Sequence, residues 1–375
     1  MRKLAGKLDG ECGSAGNPRT LFGQRAMANQ HRISSWVPGG NRLPRTESLI
    51  ARRRAGAPSL EYALPLALFT LLVLFCFALN FAFTTSYQSS TVINSQINSL
   101  HWIDPKTDIN AASRELAGRY LIQATYLLVF FASLVASVYS GAICFSQRMR
   151  LKLGHLVVIS LLAVIAFLVS YVSDNSDYDP FWNSALPGYL TDAASGHAGF
   201  GMFDPLASWS CDVTILALCL SGAAVSVLIA VTPQSPEDLQ EKLSSQRLLL
   251  FINAFLLIIY AVSVACALLW AAALLPQNER EEIIKLSAAA ALSSGIINTL
   301  TIAGIHGAGF FVFARQAREL AKAELPSATH EEREQFLSTH GLFASPYEIA
   351  VKILAVLSPL VAGLPITKLL TYFFA

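Results

Sequence analysis

The chain has 375 residues, 54% of them hydrophobic and only 14% charged, and its formal net charge is +2. That balance describes an all-α, polytopic membrane protein; it excludes an ordinary soluble enzyme, and nothing in it points to nucleic acid. No Cys-x-x-Cys, Walker, Gly-x-Ser-x-Gly or His-Glu-x-x-His motif is present, so no catalytic residue, cofactor or metal is expected.

Residues 1–60 carry Gly, Pro, Ser and scattered Arg, ending in Arg52-Arg53-Arg54, without hydrophobic periodicity. They read as a disordered basic tail next to a membrane; Asp9, Glu11 and the lack of an amphipathic period argue against a transit peptide. A transmembrane helical domain, 61–375, follows. Apolar runs at about 63–84, 120–145, 154–173, 211–231, 247–275 and 286–314 are each long enough to cross a hydrocarbon core of roughly 30 Å. Three spans followed by three would allow inverted halves, but the residues show no matching repeat.

Two loops set the expected orientation. The segment 147–153 holds Arg148, Arg150 and Lys152 without an acid, whereas 174–210 holds Asp174, Asp177, Asp179, Asp192 and Asp204 without a Lys or Arg. The basic loop and the N-terminus are therefore expected in the cytoplasm. Trp209, Trp270 and Tyr171 then fall where an outer aromatic belt belongs. The absence of glycosylation sequons in the outer loops favours a bacterial inner membrane. The acidic loop with His197 lacks the ligand spacing of a calcium site and reads as solvated.

The fifth and sixth spans are expected to form one long hairpin that outruns the bilayer on the cytoplasmic side. Ser235-Pro236-Glu237-Asp238 starts the first helix, Pro276 breaks it, Asn278 with Glu281 suggests a second capping box, and Pro326 ends the second helix. Glu237, Asp238, Glu241 and Lys242 are expected to face Arg315, Arg318, Glu319 and Lys322. Beyond the hairpin, Thr329 and Glu332 cap a short polar helix at 327–341 that Gly341 ends. The segment 349–374 is interrupted by Lys352, Pro359, Gly363, Pro365 and Lys368 and reads as a kinked seventh crossing, a re-entrant element or a segment lying in the interface.

Ala, Ser, Thr and Gly dominate 288–309, which suggests that the sixth span lies buried at the centre of the bundle. At 100° per residue, Gly295, Asn298, Thr299, Ile302, His306 and Gly309 share one stripe. Asn253 reaches the depth of His306, so amide and imidazole are expected to meet; Asn298, Thr299 and Tyr260 would extend a polar line. His306 is either a proton relay or pH-sensitive gate, or a core histidine for which Gly304, Gly307 and Gly309 make room. The expectation is a pore or permease for ions or small solutes lined by the stripe, with Gly295, Ile302 and Gly309 as path-lining or close-packing positions. The alternative is a sensor, scaffold or effector that binds a cytoplasmic protein through 236–247 and 315–341. Beyond the lipid bilayer and that partner, self-association is the remaining expected contact.

Overall fold

The computed structural model describes residues 60–86, 99–174, 193–194, 196, 203–342 and 348–361. The basic tail up to residue 59, most of the acidic loop and residues 362–375 lie outside the described residues. Among those described, there is no strand. Helix α1 is Leu64–Ser86, entered through a 3-10 turn at Leu60–Ala63. It is followed by α2 (Ile109–Gln147), α3 (Leu153–Asp174), α4 (Phe203–Ala230), α5 (Pro236–Ala273), α6 (Gln277–Glu324) and α7 (His330–Thr339). Residues 348–361 form a further helix, α8.

Five of these helices, α2 to α6, are long and apolar enough to cross a membrane, and α1 adds an apolar stretch over Glu61–Cys76. Their outward surfaces agree with that medium: Leu127, Leu128, Phe131, Leu134 and Val138 of α2, and Leu153, Val157, Leu161 and Leu168 of α3, are exposed apolar side chains. Water would not tolerate such continuous bands, whereas hydrocarbon does. The described chain is thus a nearly all-helical bundle whose five long apolar helices suit a membrane-embedded protein.

Neighbours in space follow the cycle α1, α6, α5, α2, α4, α3 and back to α1, with α4 also meeting α1, α5 and α6. The most buried segments are on α4 and α5 rather than α6. The apolar window of α4 is 78% buried and that of α5 is 61%, against 50% for α6. Small residues on α6 therefore mark close approach to its neighbours and not a central position, for Ile296, Leu300 and Phe311 leave one face of the helix exposed.

Helix α2 is longer than its apolar run because Asp108 caps it early, accepting from the N–H groups of Asn110 and Ala111. It runs antiparallel to α5 along the whole bundle, tied at one end by Arg150 to Asp238 and at the other by Glu115 to Trp270. Helices α2 and α4 are parallel, as hydroxyl pairs at a constant offset require: Ser133 with Thr214 and Ser140 with Ser221. That repeat of seven is the spacing at which two parallel helices keep facing each other.

Three termini behave as the residues dictate. Ser235 accepts from the Asp238 N–H with Pro236 in the first turn, Thr329 and Glu332 form a capping box, and Gly341 takes a φ of 63° after α7. The start of α6 differs from expectation. Pro276 is its N-cap, without a side-chain cap, and no Asn278 box forms. The turn is held instead by its carbonyls: Leu274 accepts from the Ile103 N–H at 2.8 Å and Leu275 from the Arg280 guanidinium at 3.0 Å.

The charged ends of the hairpin also pair differently. Asp238 takes Arg150 and Lys242, while Arg315 takes Glu61 and Glu319, so the polar ends of α5 and α6 are each stitched to other parts of the chain. Lys242, 1% exposed, spends its Nζ on the Val231 carbonyl at 2.7 Å. It thereby closes the short turn between α4 and α5. Trp270 is not at a lipid interface: it is fully buried and its indole N–H donates to Glu115, whereas Trp209 is 63% exposed.

Candidate functional site, a buried polar layer across four helices

The contact between Asn253 and His306 is present, and it is the end of a longer chain. Ser140 of α2 lies 3.1 Å from Ser221 of α4, Ser221 donates to Asn253 Oδ1 at 3.1 Å, and Asn253 Nδ2 lies 3.0 Å from His306 Nε2. All four residues are buried, and Ser140, Ser221, Asn253 and His306 are each 0% exposed. Donor capacity fixes the direction. An amide oxygen only accepts, so Ser221 gives its proton to Asn253 and must accept from Ser140; the amide N–H then donates to Nε2, which places the neutral ring's proton on Nδ1.

His306 Nδ1 has no hydrogen-bond partner. With the amide flipped, Asn253 would donate to Ser221 and accept from the Nε2 N–H, and Nδ1 would become an acceptor, still without a partner. A buried polar atom left in this condition costs about 1–3 kcal/mol. Close by, Gln246 donates to the His306 backbone carbonyl at 3.1 Å while its own Oε1 is also unpartnered. The layer therefore combines a saturated line of hydrogen bonds with two buried polar atoms that have nothing to bind.

The remaining stripe residues are packed. Gly309 faces Gln246, whose Nε2 would lie 2.3 Å from an added Cβ, and Gly295 faces the Pro359 carbonyl oxygen of α8 at 2.7 Å by the same measure. Ile302 is fully buried in the core. Asn298 donates to the Leu257 carbonyl at 3.1 Å, and the Thr299 hydroxyl is buried without a partner. Tyr260 stands two turns along α5 from Asn253 with its OH 3.4 Å from Cys211 Sγ, outside the layer. The glycines near His306 thus do not make room for its ring: Gly309 admits Gln246, Gly304 lies against Leu68 of α1, and a Cβ at Gly307 would meet nothing within 4 Å.

Helix α8 lies along α6. Arg247 of α5 holds Glu348 through two bonds of 3.1 and 3.0 Å, Lys352 sits 5.0 Å from the Phe310 ring centroid, and Pro359 reaches Gly295. These contacts move towards the start of α6 as α8 proceeds, so the two helices are antiparallel. Ser140, Ser221 and Gln246 were not singled out from sequence. The repeat of Ser133 and Ser140 against Thr214 and Ser221, both seven apart, is the signal that could have found the first two.

No protein-family model matches the chain, and no match is found among curated proteins or solved structures. No group of three His, Cys, Asp or Glu side chains suited to a metal ion occurs among the described residues.

Proposed function

We propose that this membrane protein is a permease for an ion or small polar solute, with the layer around His306 as its occluded site. One observation carries the reading: the orphaned Nδ1 of His306 at the end of a one-way donor chain drawn from four helices. Ionisable groups at bilayer depth are expensive and mark a binding or relay site by default. A static pore is disfavoured because the stripe is filled at Gly295 by α8 and at Gly309 by Gln246. In a permease these are the closed contacts of one state, and α8, held by Arg247 and Glu348, is the element that moves. The orientation we adopt places the N-terminus and the Arg148–Arg150 turn in the cytoplasm of a bacterial inner membrane.

The test is flux of ions and small solutes into vesicles holding the purified chain, with His306→Ala and Glu348→Gln alongside. Flux that His306→Ala abolishes and Glu348→Gln alters is expected. Absence of flux from folded protein, or flux indifferent to His306→Ala, would sink the permease. A second reading, a scaffold acting through 236–247 and 315–341, draws on α7, whose capping box and Arg333 bonds to the Leu325 and Pro326 carbonyls fold a largely exposed polar helix against the end of α6. Deleting 327–341 without loss of the cellular phenotype would remove it.

A further inference from the structure

At the end of the bundle where α5 turns into α6, two arginines have no carboxylate bonded to them among the described residues. Arg280 is 9% exposed; its Nη2 donates to the Leu275 carbonyl, which uses one of five N–H donors, and its Nε is buried without a partner. Arg114 of α2 is half-buried, and its Nε is likewise buried and unpartnered. The two lie near enough for the charge of Arg114 to act against that of Arg280.

Among the described residues no carboxylate bonds either arginine: Glu281 is exposed, Asp104 accepts from the Lys106 N–H, and the remaining acids of this end are engaged elsewhere. Glu115 binds Arg119 and the Trp270 indole. Glu279 binds the His101 ring and N–H, and Glu282 binds Lys285. Asp108, whose charge reaches Arg280, accepts from two N–H groups as the cap of α2. A buried guanidinium beside a second one, with no carboxylate bonded to it among the described residues, is an arrangement that a bound anion relieves and an empty site does not. Planar N–H pairs from two arginines suit the oxygens of phosphate or carboxylate better than a monatomic ion.

We propose that Arg114 and Arg280 form a binding site for an oxyanion, a phosphate or carboxylate group, at the α5–α6 turn. The site stands independently of the permease reading, since it is defined by binding and not by flux. Its ligand is a free anion or the phosphate of a lipid headgroup, and the two sources separate experimentally.

The measurement is the Tm of the full chain in phospholipid-free detergent, titrated with inorganic phosphate against chloride at matched ionic strength, then repeated in bicelles with and without phosphatidylglycerol. A rise of several degrees with phosphate, absent in Arg114→Gln and in Arg280→Gln, is expected for a free anion. A rise with phosphatidylglycerol alone, lost in the same variants, assigns the site to lipid. No rise in either medium, or a rise that both variants keep, overturns the proposal. Arg114→Gln serves if Arg280→Gln does not fold, and it has a sign of its own: without anion it should match or exceed the wild-type Tm because repulsion is relieved, whereas a merely structural arginine would lower it.

Discussion

Two hydroxyl chains cross the α2–α4 seam one heptad apart, and they end differently. At the first, Ser133 donates to Thr214, which donates to the Ser210 carbonyl at 2.7 Å, and the chain closes on a backbone acceptor within the same helix. At the second, Ser140 donates to Ser221, but the proton order passes on through Asn253 of α5 to His306 of α6, where Nδ1 has no partner. A facing pair of hydroxyls thus serves as complete interhelical glue in one layer and as the root of an unfinished network in the next. Saturation distinguishes a packing contact from a candidate site more sharply than polarity does.

Breaking the second chain in its middle should have the largest effect. Asn253→Leu leaves the Ser221 hydroxyl and His306 Nε2 without a bridge, and a loss of about 2 kcal/mol or more is expected from orphaning two buried groups. Reversible unfolding in mixed micelles reads it. A loss below about 0.5 kcal/mol would mean that the layer is not a connected network.

Next in size is Gly295→Ala, where the clash is with the Pro359 backbone oxygen and cannot be relieved by turning a side chain. The expected result is α8 lifted from α6, seen as faster hydrogen exchange over 348–361 with the rest of the bundle unchanged. Unaltered exchange would show that the close approach is easily accommodated. Gly309→Ala should be milder, about 1 kcal/mol, because its clash is with the movable end of Gln246. It should cost the bond from Gln246 to the His306 carbonyl and leave α8 in place.

The comparison also shows what a sequence can reveal of such a site. Helix positions, the Ser235 and Thr329 caps and the meeting of Asn253 with His306 follow from local rules: capping chemistry, breakers, and depth counted from helix ends. The burial ranking of α4 above α6 does not, since small residues announce a close neighbour without saying on how many sides neighbours lie. Nor does the burial of Trp270, which depends on Glu115 arriving from a helix that Asp108 starts early. Ser140 and Ser221 are single hydroxyls in apolar runs; their importance comes from a register between helices 81 positions apart in the chain.

The smallest effects sharpen the comparison most directly. A double-mutant cycle on Ser133→Ala and Thr214→Ala should give a coupling of about 0.6 kcal/mol, the ordinary value for an interhelical hydrogen bond in a membrane. The matching cycle on Ser140→Ala and Ser221→Ala is expected to give more, because removing Ser221 also strips Asn253 of its donor and frees the amide that orients His306. Repeating that second cycle in the Asn253→Leu background should reduce its coupling to the value at Ser133 and Thr214. If the two cycles agree from the start, the layer at His306 is no more connected than its neighbour, and the orphaned imidazole nitrogen is a packing defect rather than the end of a pathway.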